Sequence, residues 1–335
     1  MAKNITIAIN GFGRIGRCAL KVAFEKKNIT IAAINDLTDA QTLAHLLQYD
    51  TAYGKYARTV KATQDALIVD GKKIPVYAEK DPTALPWKKL HVDVVLECTG
   101  VFTSEEKASA HVTAGAKSVI ISAPGKGGNV GTFVRGVNSK DIKKAKSKVH
   151  SNASCTTNCI SPVMNVLESA FGIKKAMMTT IHGYTADQNL QDGPHKDLRR
   201  ARAAAENIVP TTTGAAIATT ETIPELKGKF DGVAIRVPVP VVSLSDVTLV
   251  LKKKVTKEHI NDAFIKASNS ANYKNILAVT HEQLVSSDFV GNSYSAIVDL
   301  SLTQVVDGDM VKVIAWYDNE WGYSNRLIEL VEEAV

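Results

Sequence analysis

Ile5-Thr6-Ile7-Ala8-Ile9-Asn10-Gly11-Phe12-Gly13-Arg14-Ile15-Gly16-Arg17 is the stretch that decides the fold. An apolar run enters a G-x-G-x-x-G turn at Gly11, Gly13 and Gly16, and an amphipathic stretch follows from Ile15 to Phe24. That order predicts strand, glycine turn, helix. Gly11 permits the tight turn, Gly13 lets backbone approach a pyrophosphate, and Gly16 lets the helix pack on the strand. The helix start then favours phosphate through its free N–H groups and dipole. Alone, the pattern also fits a glycine-rich turn without ligand. A second apolar strand, Ile29 to Ile34, ends in Asn35-Asp36. An acid there can accept hydrogen bonds from both ribose hydroxyls of NAD and repels the extra phosphate of NADP. A dinucleotide site that prefers NAD is therefore expected.

Further apolar strands are predicted at Val92 to Leu96 and Ser118 to Ser122. Their carboxyl ends carry Thr99 and Ser122, at the sheet edge where ligands of open α/β folds bind. Both are candidate cofactor contacts, whereas Cys98 reads as a packing thiol. Asp70-Gly71 is a hairpin turn between Leu67-Ile68-Val69 and Ile74-Pro75-Val76, and Gly125 to Gly131 is a loop. The first half is thus α/β, with a Rossmann-type doubly wound parallel sheet.

A second centre lies at Ser151-Asn152-Ala153-Ser154-Cys155-Thr156-Thr157-Asn158-Cys159. Capping side chains followed by Cys-Thr-Thr read as a helix start, with Pro162 tolerated near its first turn. Unpaired N–H groups there would push a thiol toward thiolate, the form that attacks carbonyls. Cys159 is placed one turn on, as a packing residue; with no matching second pair, no metal site is expected. His182 closes a strand from Ala176 to Ile181 and reads either as the base for Cys155 or as a structural histidine. Asp197 to Glu206 reads as a basic helix start, binding phosphate or simply solvated. Thr211-Thr212-Thr213-Gly214 precedes a helix from Ala215 and is a second potential anion site. Arg236, inside an apolar strand, needs either a substrate phosphate or an internal salt bridge. Alternating strands at Val239 to Lys252, Tyr294 to Leu300 and Met310 to Tyr317 predict an α+β second domain with a mostly antiparallel sheet.

The 335 residues suit two domains, and 45% hydrophobic with 22% charged suits a normal core. No apolar run is long enough for a membrane span, and the N-terminus enters a strand directly, so no targeting segment is expected. Four cysteines are too few for a disulfide scaffold and point to the cytoplasm. The net charge of +6 is scattered and lacks aromatic interleaving, so no dedicated nucleic-acid site is expected.

Together these residues resemble the phosphorylating glyceraldehyde-3-phosphate dehydrogenase family. The matching stretches are Asn10 to Arg17, Ser151 to Cys159, Arg202 to Ala216, Ala234 to Pro238, Trp316 to Glu320 and Gly322 to Arg326. The resemblance implies an NAD-binding domain at 1–151, a catalytic domain at 152–317, and a segment at 318–335 whose helix packs back on the first domain. It implies Cys155 as nucleophile and His182 as its partner. Arg14, Ile15, Asp36, Lys80, Ser122 and Asn319 match cofactor contacts, Asn319 on the nicotinamide carboxamide. Thr185, Arg200 and Arg236 match the site for the substrate's C3 phosphate, with Arg199 and Arg202 competing for the role of Arg200. Ser154, Thr156, Thr213 and Gly214 match the inorganic-phosphate site. A homotetramer is implied. Ala186 departs from the Asn common in bacterial-type members, which by the resemblance implies the loss of one cofactor contact, and the Gly125 loop is richer in glycine than usual.

The implied reaction converts D-glyceraldehyde 3-phosphate, NAD and inorganic phosphate to 1,3-bisphosphoglycerate through a thiohemiacetal and a thioester on Cys155. The Cys155 N–H is a second oxyanion donor beside His182. Two alternatives stay open: erythrose-4-phosphate dehydrogenase activity, and a non-catalytic nucleic-acid or surface-binding role suggested by the charge.

Overall fold

The computed structural model describes residues 4–335, which divide into two units. The first runs through Phe133 and includes Ser139–Ala153 and Ser324–Val335; the second is Val134–Asn138 with Ser154–Tyr323.

In the first unit the opening strand β1 (Ile5–Asn10) leads into α1 (Arg14–Ala23) and β2 (Ile29–Asn35), then α2 (Ala40–Gln48). A meander follows as β3 (Val60–Ala62), β4 (Ala66–Val69) and β5 (Lys72–Tyr77). β6 (Val94–Glu97), α3 (Glu105–Thr113), β7 (Ser118–Ile121), β8 (Gly131–Thr132) and β9 (Val149–Ser151) complete the sheet. Among the described residues its order is β8-β9-β7-β6-β1-β2-β5-β4-β3. Strands from β8 to β2 run parallel, and the β4–β5 and β3–β4 pairs are antiparallel. The Asp70-Gly71 turn takes positive φ at both residues (48° and 80°), the geometry that matches strand twist in a tight hairpin. β1 and β6 are buried on both faces, as helix-covered parallel strands must be.

His150 of β9 is 5% exposed and meets Phe133 edge-on at 5.6 Å. Burial pushes its pKa down to about 4. The unfolded chain takes up this proton below about pH 6.5 and the folded chain does not, so stability is lost as pH falls from about 7 toward 4. At pH 5 the deficit from this one group is about 2 kcal/mol. His150→Leu should therefore flatten the urea-unfolding stability between pH 7.5 and 5 by about that amount. Equal pH slopes in the two proteins would show that the imidazole is solvated.

In the second unit α4 (Cys155–Phe171) precedes β10 (Ile173–Gly183), β11 (Val209–Thr212), α5 (Ala215–Thr222), β12 (Phe230–Val237) and β13 (Ser243–Leu251). After α6 (Lys257–Ser268) come β14 (Leu277–Thr280), β15 (Ala296–Asp299), β16 (Gln304–Val306) and β17 (Met310–Tyr317); α7 (Trp321–Ala334) starts in this unit, and from Ser324 onward it belongs to the first. The order is β11-β12-β10-β13-β17-β15-β14, with β16 also on β17. Only β10–β12 and β14–β15 are parallel pairs among the described strands; the sheet is mostly antiparallel. Cys159, Ile160, Val163, Met164 and Leu167 on α4 are wholly buried in the core beneath it.

Two local expectations are corrected. Pro162 lies in the interior of the 17-residue α4, not near its first turn. Asp197 to Glu206 is not a helix start but a series of turns. Asp192 and Asp197 draw in the neighbouring backbone N–H groups of Ala203 and Arg199, and such side-chain bonds compete with helix.

Candidate active site

The glycine turn is built by space as much as by torsion. Gly11 has φ 89°, and a Cβ there would lie 2.7 Å from Thr99 N. A Cβ at Gly16 would overlap the Gly11 carbonyl oxygen, whereas at Gly13 it would meet nothing within 4 Å. Gly13 is the N-cap of α1 and makes no side-chain cap bond, so the helix start is left open. Arg14 and Ile15 follow, half-buried. The Arg14 guanidinium pairs with Asp50 at 2.6 Å.

A cavity of about 450 Å³ opens beside the turn, lined by Gly11, Gly13, Asp36, Lys80, Cys98 and Thr99 among others. Asp36 holds the turn by accepting from Phe12 N at 2.7 Å and Thr38 N at 2.9 Å. Each oxygen keeps a lone pair for ribose. Ser122 bonds the Cys98 thiol, which burial pushes up to about 12. These residues fit a dinucleotide: open helix start, room beyond Gly13, an acid on the wall. Gly13→Ala is expected to cost the apo protein less than about 1 kcal/mol. It should weaken NAD binding at least about tenfold, because the methyl occupies the pyrophosphate's approach. Gly16→Ala, by contrast, should lower stability itself. Calorimetric NAD titration and urea unfolding of both variants check the pair.

In the second unit Ser154 caps α4, accepting from Thr157 N at 3.0 Å. Just before it Ala153 adopts φ 55°, unusual for a side-chain-bearing residue, and it is fully buried. Cys155 opens the helix, with Sγ 3.4 Å from His182 Nε2. His182 Nδ1 lies 2.6 Å from the Gly183 carbonyl oxygen. A carbonyl only accepts, so Nδ1 carries the proton and Nε2 presents its lone pair to the thiol. Burial, helped by the Arg236 guanidinium, pushes the His182 pKa down to about 3.

The thiol differs from the sequence expectation. Burial pushes the Cys155 pKa up, opposed by the Arg236 guanidinium, the Thr156 hydroxyl and the helix-start N–H groups. The resting pair is thus neutral thiol beside neutral imidazole. The helix start does act on the sulfur in the expected direction, but desolvation outweighs it.

Arg236 sits opposite His182 in the parallel β10–β12 ladder and donates to Thr185 Oγ1 at 2.9 Å. Its Nε is buried without a hydrogen-bond partner among the described residues. Arg200 is more fully engaged, with Thr211 Oγ1 at 3.0 Å, the Thr212 carbonyl at 3.1 Å and Asp187. Arg202 pairs with Asp192. Thr156 is buried, and its hydroxyl bonds Tyr317 at 2.8 Å. Gly214 caps α5 without a side-chain bond, and Thr213 Oγ1 accepts from Ala215 N at 3.2 Å. Asn319 is buried; its Oδ1 accepts from Ser243, leaving Nδ2 unpartnered among the described residues. Ala186 is exposed and brings no polar group.

Sequence reasoning missed Tyr317, whose hydroxyl joins Thr156 to Thr180 at 2.9 Å. It also missed Asp187, which competes for Arg200. Tyr317 ends an alternating strand and gave no signal beyond packing.

A glycine-turn dinucleotide fold joined to a unit bearing a cysteine–histidine pair points to the class of nucleotide-dependent dehydrogenases. Residues 5–105 match the glyceraldehyde 3-phosphate dehydrogenase NAD binding domain, and residues 154–319 match the C-terminal domain. The chain belongs to the glyceraldehyde-3-phosphate dehydrogenase family. It is 52% identical to the glyceraldehyde-3-phosphate dehydrogenase of Streptomyces coelicolor over 327 residues, 97% of each chain. It is also 52% identical to that of Geobacillus stearothermophilus over 326 residues, again 97% of each. The Borreliella burgdorferi enzyme is 52% identical over 335 residues, 98% of this chain and 99% of that one.

Proposed function

We propose that this chain oxidises and phosphorylates D-glyceraldehyde 3-phosphate to 1,3-bisphosphoglycerate with NAD and inorganic phosphate, in glycolysis or gluconeogenesis. The observation that carries the reading is the Cys155 Sγ to His182 Nε2 approach of 3.4 Å, with Nε2 left as acceptor. Cys155 adds to the aldehyde carbon as its proton passes to His182, giving a thiohemiacetal. The Cys155 N–H and the His182 imidazolium hold the oxyanion. NAD, when bound, supplies the hydride acceptor that turns this adduct into a thioester. Arg236 and Thr185 take the substrate's C3 phosphate, with Arg200 as a further cation. The Ser154–Thr156 helix start and Thr213-Gly214 take inorganic phosphate, Thr156 through its N–H and what its hydroxyl has left. Asn319 offers Nδ2 to the nicotinamide carboxamide, and Asp36, Lys80, Thr99, Ser122 and the Gly11 turn hold the rest of NAD.

NADH formation from glyceraldehyde 3-phosphate should depend on added phosphate and exceed that from erythrose 4-phosphate. Turnover indifferent to phosphate sinks the reading and favours an erythrose-4-phosphate dehydrogenase.

A homotetramer is part of the proposal. The second unit leaves Met177 and Ile217 exposed along a cavity of about 590 Å³, a surface suited to another copy. Light scattering should give the mass of four chains. Among the described residues no helix is long and apolar enough to cross a membrane. A cytoplasmic location is proposed because the chemistry needs a free thiol.

A further inference from the structure

Glu97 ends β6 and is 1% exposed. Its register partner on β1 is Asn10, which in turn pairs with Asn35 on β2. The three form a buried polar row across adjacent strands, directly behind the glycine turn. Asn35 Nδ2 donates to Asn10 Oδ1 at 2.7 Å, and Asn10 Nδ2 donates to Glu97 Oε2 at 2.6 Å. The other carboxylate oxygen accepts from Thr99 N at 2.8 Å and from the Thr99 hydroxyl.

His111 of α3 completes the set. Trp87 donates its indole N–H to His111 Nδ1 at 3.0 Å, so the ring proton sits on Nε2, which is 3.2 Å from Glu97 Oε2. Asn10 Nδ2 and His111 Nε2 lie 3.3 Å apart, two donors converging on one oxygen. A buried carboxylate without an adjacent full cation is tolerated only when donors surround it, and here they do.

The row reaches the dinucleotide cavity without Glu97 or His111 lining it. Asn10, Asn35, Glu79 and Thr99 are lining residues. Asn35 fixes Glu79 by accepting from its N–H and donating to its carbonyl, both at 2.9 Å. Thr99 is exposed on the cavity side, yet both of its donors go inward to Glu97. Thr99 N is also the atom that comes closest to a Cβ built on Gly11. A small displacement of Thr99 therefore bears directly on the pyrophosphate turn.

We propose that Glu97, held in one orientation by His111 and Trp87, is a positioning residue for NAD: it acts through Thr99 and Asn10 to set the wall on which the dinucleotide seats. The inference rests on the NAD reading of this cavity. Wild-type NAD titration comes first, and failure there would count against that reading, not this one. In Glu97→Gln the amide NH2 must face one of two donor pairs, Asn10 with His111 or the Thr99 N–H with its hydroxyl. Kd and KM for NAD should then rise about tenfold, while kcat at saturating NAD stays within about twofold. Thr99→Val, on an exposed residue that does not threaten folding, should raise KM for NAD in the same way. The double variant should lose less than the product of the two single losses, since Glu97 acts through Thr99. Wild-type NAD affinity in Glu97→Gln, a fall in kcat with unchanged KM, or fully multiplicative losses would each overturn the proposal. If Glu97→Gln does not fold, unchanged NAD binding in Thr99→Val overturns it.

Discussion

Cys155→Ser is expected to lower turnover roughly 10⁴- to 10⁶-fold, the scale on which enzymes lose activity when a nucleophile acting with its base is removed. A serine hydroxyl is far less acidic than a thiol, and His182, with its pKa at about 3, is a weak base for it. Any hemiacetal that did form would be oxidised to an oxygen ester, which phosphate attacks slowly. NAD affinity should stay at the wild-type value, because the glycine turn and Asp36 belong to the other unit. Turnover near wild type would mean that the chemistry does not pass through this sulfur. Stopped-flow NADH formation and NAD titration on one preparation check both expectations.

His182→Asn is expected to lower kcat about 10²- to 10⁴-fold, the usual worth of a positioned base. The pH dependence is the sharper readout. Burial raises the Cys155 pKa, so without an imidazole to take its proton the sulfur must be deprotonated by solvent. The variant's deficit should therefore shrink as pH rises. In the wild type, neutral His182 accepts the proton throughout the neutral range, and no loss from its own ionisation is expected above about pH 5. Iodoacetamide alkylation of Cys155 should follow the same pattern. A deficit independent of pH would show that His182 only stabilises the oxyanion.

The parts of the site legible in the sequence were those that depend on local spacing. Gly16 meets a steric demand within a few residues of itself, since a Cβ there would overlap the Gly11 carbonyl oxygen, and Ser154 caps the helix that Cys155 opens. What escaped depends on partners far along the chain. Arg200, Arg199 and Arg202 could not be ranked, since Asp187 and Asp192, which engage two of them, approach only after folding. The direction of the Cys155 shift reversed because desolvation is a property of the packed unit, while a helix start is visible in nine residues. Glu97 lies just past the predicted strand Val92 to Leu96; its meaning comes from Asn10, His111 and Trp87, brought beside it by sheet order and α3.

The pairing of His182 with Arg236 and Ser243 across three neighbouring strands also limits how related chains can differ in length. Side chains alternate faces along a strand, so one residue inserted or deleted between Phe230 and Arg236 would turn the guanidinium to the opposite side of the sheet. The imidazole would then face a residue meant for the other surface. Exposed turns that carry no site residue can absorb added residues at little cost, whereas β10 and β12 cannot gain or lose even one. Gaps in alignments of related chains should accordingly fall in the former and be missing from the latter.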